Sequence, residues 1–263
     1  MTKIGLAKAT FPDLSNDEFI KLAAETGFDF VSLRLRTSEV GRENDQILPG
    51  SVGLAAVQRA LGRTGLPVID LEFLTLIETT RPEHWEWMFE VGEALGAKHL
   101  NVGVRFNNPE ILDAHLEKLS QIRSSVTPLL EPVKFYSDVN YAMMLEHLDG
   151  TGLLLDTLQL ARFDETKLAA DLKPYVGVIQ LCDAPLANPE TTEELEFEAR
   201  YGRIPPGDGE LPLEQILTVI GPDVQISIEC PNISLTESMG VTAYAKYLLE
   251  RSNELIPQRK TSN

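Results

Sequence analysis

The chain of 263 residues predicts one α/β domain, a (β/α)8 TIM barrel spanning residues 1–263. Three observations lead there. Apolar segments alternate with stretches of helical pattern eight times over, which requires parallel strands joined by crossover connections. The length is close to the ~250 residues usual for a closed barrel of this kind. Several strands alternate apolar and charged residues and carry a charge at their C-terminal end, the end where barrels of this class place their active sites. No G-x-G-x-x-G follows the first strand, so an open doubly wound sheet is the runner-up.

The elements follow in order. Ile4–Ala7 is the first strand, and Asn16–Thr26 its helix, with Ser15 or Asn16 as N-cap and Gly27 at the end. Phe28–Arg36 is strand two, followed by an irregular polar stretch and a helix over Val52–Arg63. Pro67–Leu74 is strand three. The helix Pro82–Leu95 places Trp85, Met88, Phe89 and Val91 at near-helical spacing before Gly96. Lys98–Val104 and Pro109–Ser124 form the fourth unit, Pro128–Val133 and Tyr141–His147 the fifth. Gly152-Leu153-Leu154-Leu155-Asp156 reads as a strand buried on both faces, with Glu165–Leu172 as its helix. Val176–Cys182 and Leu213–Ile220 make the seventh unit, Gln225–Cys230 and Thr236–Leu255 the eighth. The segment from Asp183 to Glu210 is long enough to act as a lid carrying substrate groups, or is a surface excursion held by its turn residues.

In Val31–Arg36, Ile69–Phe73 and Ile226–Cys230 the apolar residues face the helices. Arg34, Arg36, Asp70, Glu72, Ser227 and Glu229 then face the interior. A barrel without a functional centre would fill that layer with branched apolar side chains, because unpaired buried charge is unfavourable.

Bulk composition narrows the function. Hydrophobic content of 43% and charged content of 24% suit a soluble globular protein with a full core. Two cysteines, Cys182 and Cys230, fit buried thiols in a reducing compartment. The N-terminus lacks a signal-peptide pattern, and no window approaches the roughly 18 apolar residues of a membrane helix. A cytoplasmic protein without membrane association is expected. The net charge of −17 repels phosphate backbones, so nucleic acid is not an expected partner.

Four strand ends present oxygen ligands: Glu131, Asp156, Gln180 and Glu229. At Asp156 a carboxylate closes an apolar strand, so it either caps the next helix or points at a cation or substrate. Three carboxylates converging on one mouth repel one another unless a cation lies among them. An all-oxygen shell suits a hard divalent ion, Mn²⁺ or Mg²⁺ first and Co²⁺ third.

The motifs Glu131-Pro132, Asp156-Thr157-Leu158-Gln159, Gln180-Leu181-Cys182-Asp183, Pro206-Gly207-Asp208-Gly209 and Glu229 occur in the order seen in one family. With the strand-two stretch Gly27–Arg34, the whole chain resembles the xylose isomerase-like TIM barrels, the sugar-phosphate isomerases and epimerases. Two departures stand out: Gln159 and Gln180 occupy positions where relatives carry histidine. Gln180 can still ligate through its oxygen, but Gln159 cannot exchange a proton near neutral pH. His84, His99, His115 and His147 lie at helical positions or a strand start and do not substitute.

The resemblance implies proton abstraction beside a carbonyl, with Glu131 and Glu229 exchanging the proton and Glu131, Asp156, Gln180 and Glu229 around one divalent ion. The substrate is then a ketose or related sugar, isomerised or epimerised. A dehydratase acting on a keto-sugar or a 3-dehydroshikimate-like keto acid is the alternative, and a barrel that binds a polyol without turnover a third. Arg34, Glu72, Lys134, Gln159, Asp183 and Arg203 are the candidate substrate contacts. Arg162 reads better as one half of an internal ion pair. Homodimers are frequent among relatives, so self-association is an option.

Overall fold

The computed structural model describes residues 2–36, 46–148 and 150–256. Residues 37–45, in the irregular stretch expected after strand two, lie outside the described residues. Eight parallel strands close into a barrel in sequence order: β1 (Ile4–Ala7), β2 (Phe30–Arg34), β3 (Val68–Leu76), β4 (His99–Val104), β5 (Thr127–Pro132), β6 (Gly152–Asp156), β7 (Val176–Leu181) and β8 (Gln225–Ile228). β8 pairs with β1 through Gly5↔Ser227, which closes the ring.

The helices that cover the barrel begin where side chains can satisfy their free N–H groups. α1 (Asn16–Thr26) starts with a reciprocal Ser15–Glu18 capping box, α2 (Val52–Thr64) is capped by Ser51, and α3 (Glu86–Leu95) and α4 (Pro109–Ser120) follow. α5 (Tyr141–Leu145) is a short turn capped by Asn140. The closing segment is two helices, α10 (Ile233–Met239) and α11 (Val241–Leu255), divided at Gly240. The remaining helices are α6 (Thr157–Arg162), α7 (Ala169–Leu172), α8 (Thr192–Tyr201) and α9 (Leu213–Ile220).

Besides that closing segment, expected as one helix over Thr236–Leu255, two more elements differ from the sequence expectation. A helix begins directly after Asp156, ahead of Glu165, because the Asp156 side chain accepts the N–H groups of Leu158 and Gln159. The segment between β7 and α9 is not irregular throughout. It contains α8, whose start is a Thr191–Glu194 capping box.

The interior is layered. At the N-terminal end Phe30, Ile69, Leu129, Leu154 and Val178 form an apolar plug, separate from the main core between strands and helices. Gly5 makes room for it, since a Cβ there would lie 2.1 Å from the Phe30 ring. Above lies a buried polar layer. The Ser32 hydroxyl donates to Asp70, Asn101 Nδ2 donates to Asp70 Oδ2 at 2.8 Å, and the Ser32 and Ser227 hydroxyls are 2.9 Å apart. The charged strand ends stand above that layer. Arg36 departs from the alternation: it stacks over Trp87 at 4.7 Å and does not line the interior. No described helix is long and apolar enough to cross a membrane.

Candidate active site at the barrel mouth

The cavity at the C-terminal end of the strands measures about 90 Å³. The strands bring Arg34, Glu72, Asn101, Glu131, Gln180 and, just past β8, Glu229 to it, and Gln159 and Arg203 enter from the segments after β6 and β7. Seven of the residues expected from the sequence therefore meet there: Arg34, Glu72, Glu131, Gln159, Gln180, Arg203 and Glu229. Asp156 lies fully buried beside it, and its carboxylate answers both readings of the strand-six stretch. Oδ1 accepts the Leu158 and Gln159 N–H groups at 2.7 and 3.2 Å, while Oδ2 accepts from Arg203 Nη1 at 2.7 Å.

Lys134 and Asp183 do not line the cavity. The Lys134 ammonium reaches Asp138 at 3.2 Å and lies over Phe163, and only its backbone N–H turns inward, donating to Gln159 Oε1 at 2.9 Å. Asp183 is buried and accepts from the backbone N–H groups of Ala184, Gly207, Gly209 and Leu211 at 2.8 to 3.0 Å. The Pro206-Gly207-Asp208-Gly209 motif is thus a cradle for the protein's own carboxylate. A Cβ at Gly209 would sit 2.5 Å from Asp183 Oδ1, so the second glycine is needed for closeness. Arg162 pairs with Glu198 at 2.6 Å through both Nε and Nη2 and ties α8 to the barrel.

Arg203 is the residue around which the carboxylates are arranged. Its side chain is 4% exposed. Nη1 reaches Asp156 Oδ2, Nη2 lies 3.2 Å from Glu229 Oε1, and Nε donates to the Ala199 carbonyl at 2.9 Å. Burial opposes the guanidinium's charge, but Asp156 and Glu229 outweigh it and hold the proton more firmly than usual.

The remaining carboxyl groups are driven toward their neutral forms. Burial pushes Glu131 well above the usual range, and the charges of Asp156 and Glu229 add to it against Arg203. Burial pushes Glu229 up to about 7, with Arg203 opposing and Glu72 and Asp156 reinforcing. Glu72 is raised by burial and partly restored by Arg34, whose Nη2 lies 3.2 Å from Oε2. Three buried oxygens on the cavity wall have no hydrogen-bond partner among the described residues: Glu72 Oε1, Asn101 Oδ1 and Gln180 Oε1. Unpaired buried acceptors are unfavourable and suit the hydroxyl groups of a ligand.

The expected divalent ion meets a different arrangement. Both oxygens of Asp156 are committed, one to a helix start and one to a guanidinium, and Glu229 faces the same guanidinium. Among the described residues no three His, Cys, Asp or Glu side chains are grouped to hold a metal. The donor set as folded does not fit a divalent ion, because a cationic side chain already lies between two of its members.

Sequence reasoning missed several lining residues. Asn101 continues the inward alternation of His99–Gly103 and was readable there. Arg105 and Arg200 stand on the rim around Tyr136, Arg105 over its ring at 3.6 Å and Arg200 Nη2 at 2.5 Å from its hydroxyl. Phe73 and Phe135 complete that rim. Arg200 belongs to α8, whose position over the mouth has no local signal.

No protein-family model and no curated protein matches this chain. Solved structures do. A xylose isomerase domain containing protein from Salmonella typhimurium superposes with a TM-score of 0.77 at 19% identity over 98% of each chain. The IolI protein, solved with a bound zinc atom, gives 0.79 at 16% identity over 99% of this chain and 100% of that one. The fold is that of the xylose isomerase-like barrels. The apo form of 3-keto-D-glucoside 4-epimerase, YcjR, from E. coli shares that barrel, with a TM-score of 0.70 at 17% identity over 98% of this chain and 100% of that one.

Proposed function

We propose that this xylose isomerase-like barrel is an isomerase or epimerase that enolises a ketose or a related polyhydroxy carbonyl compound. The observation that carries the reading is the pair Glu131 and Glu229 in one cavity. Burial and neighbouring charge push Glu131 well above the usual carboxylate range and favour its acid form, whereas Glu229, at about 7, exchanges its proton near neutrality. Glu229 as carboxylate takes the proton from the carbon next to the substrate carbonyl. Negative charge then develops on the carbonyl oxygen, in a cavity lined by the Arg203 guanidinium and by the amides of Asn101 and Gln180. Glu131 as carboxylic acid returns a proton to the opposite face of that carbon for epimerisation; for isomerisation it protonates the former carbonyl carbon, while the neighbouring hydroxyl passes its proton to the former carbonyl oxygen and becomes the new carbonyl. Gln159 does not move a proton. Its Oε1 is held by the Lys134 N–H, which leaves its amide NH₂ as a donor for the cavity.

The three unpaired acceptors on the wall favour a substrate with several hydroxyls. On the rim Arg34 is paired with Glu72 and Arg200 with Glu196, and the guanidinium of Arg105 favours a substrate with an acidic group. The enzyme-catalysed deuterium exchange of a panel of ketoses, their phosphates and their acids tests the reading by mass spectrometry. One deuterium next to the carbonyl, absent in Glu229→Gln, is the expected result. Loss of one water would make the chain a dehydratase. Binding of a panel member without exchange would make it a polyol-binding barrel.

A further inference from the structure

Carboxylates crowded into a low-dielectric mouth need a cation, and the mouth holds one that is part of the chain. The Arg203 fork spans from Asp156 Oδ2, 2.7 Å from Nη1, to Glu229 Oε1, 3.2 Å from Nη2. A divalent ion shared by those two carboxylates would have to lie roughly 2.0–2.3 Å from their oxygens, in the space the Nη protons take up.

The guanidinium is also anchored from behind. Its Nε binds the Ala199 carbonyl, and Nη1 lies 3.2 Å from the Glu229 carbonyl oxygen. The backbone around it is held on both flanks. Arg203 N–H donates to the Pro231 carbonyl at 3.2 Å, Asn232 Nδ2 donates to the Arg203 carbonyl at 2.8 Å, and Ile204 exchanges two hydrogen bonds with Asp183. Turning the side chain out would leave Asp156 and Glu229 buried without a counter-charge.

We infer that Arg203 is the resident cation of this site. It takes the place of a divalent metal, so that the protein neither needs nor holds one, and it supplies the positive charge against which the enolate forms. The inference rests on the enolisation reading for the role of that charge, but not for its metal statement, which is read without substrate.

Calorimetric titration with Mn²⁺, Mg²⁺, Co²⁺ and Zn²⁺, together with thermal melting with and without EDTA, tests it on the full chain. Wild type is expected to show no saturable binding and no change in Tm with metal or chelator. Arg203→Gln leaves Glu131, Asp156, Gln180 and Glu229 without their cation. It is expected to melt lower and to recover about 5 °C or more at saturating Mn²⁺. If that variant fails to fold without metal but folds with Mn²⁺, the assignment stands. Arg203→Lys is the second variant: it keeps a point charge and is expected to fold without metal and to gain no Mn²⁺ response. Saturable metal binding by wild type that is lost in Glu229→Gln would overturn the inference, as would an Arg203→Gln melt equal to wild type in every condition. Deuterium exchange that fails while the metal results hold would remove the proposed reaction and leave Arg203 as the site's cation.

Discussion

The two ends of the barrel interior are built from the same strands and do opposite things. Toward the N-terminal end Phe30, Leu129, Leu154 and Val178 fill the ring with apolar volume. Two residues further along their strands stand Ser32, Glu131, Asp156 and Gln180. The plug packs and contributes stability by burial. The mouth holds carboxyl groups away from their ordinary ionisation, a destabilising arrangement that is useful only for chemistry. One strand period of 2 serves both ends, because a side chain's height in the barrel decides whether it meets solvent and substrate or the packed floor.

Crossed variants are the strongest way to break that contrast. Glu229→Gln is expected to lower deuterium exchange by about 10²–10⁴-fold, with stability above pH 7 unchanged or raised. The same group gives the wild-type exchange rate its pH dependence. The rate should rise as pH rises through about 7, where Glu229 loses its proton, and level off above. Phe30→Ala should do the reverse, costing about 3–5 kcal/mol in denaturant unfolding while exchange per folded molecule stays near wild type. An exchange loss in Phe30→Ala as large as in Glu229→Gln would mean that the two ends are not separable.

Asp70, between floor and mouth, sharpens the comparison. Burial raises it to about 6, against hydrogen bonds from Ser32 and Asn101, with the Glu229 charge adding to the rise. Between about pH 4 and 6 the folded chain therefore binds more protons than the unfolded one, so stability falls as pH rises through that window. The contribution is about 3 kcal/mol, and unfolding of Asp70→Asn across the same range should lack it. The smallest effect concerns the loop that carries Arg203. Asp183→Ala strips the acceptor from four backbone N–H groups and should cost about 2–3 kcal/mol. It should also lower exchange, since the carboxylate's hold on the Gly207, Gly209 and Leu211 N–H groups fixes the loop that carries the guanidinium.

Much of the barrel was legible because its signals are local. Alternation in Val31–Arg36 and Ile226–Cys230, a capping serine at position 15 and the apolar run before Asp156 need only their neighbours to be read. Glu131, Gln180 and Glu229 were legible as strand ends, and their meeting follows from strand order. The α8 start was also present as Thr191-x-x-Glu194, but the length and polarity of the segment masked it. Asp183 looked like a substrate contact because its sequence neighbours resemble a ligand motif, whereas its partners are N–H groups up to 28 residues further on.

The sequence by itself determined the alternation of strands and helices, the closure into eight units and, up to Arg34, the inward faces of the second, third and eighth strands. Those follow from hydrophobic periods of 2 and 3.6 acting over short distances. Only the tertiary structure decided what the carboxylates face. Arg203 stands 47 residues from Asp156 and 26 from Glu229, and a guanidinium in a loop carries no mark of whether it will turn to solvent or inward. Packing of that loop against Pro231, Asn232 and Asp183 turned it inward. In a buried mouth, where charge interacts over a low dielectric, that one orientation decides whether the site presents a metal ligand set or a finished ion pair.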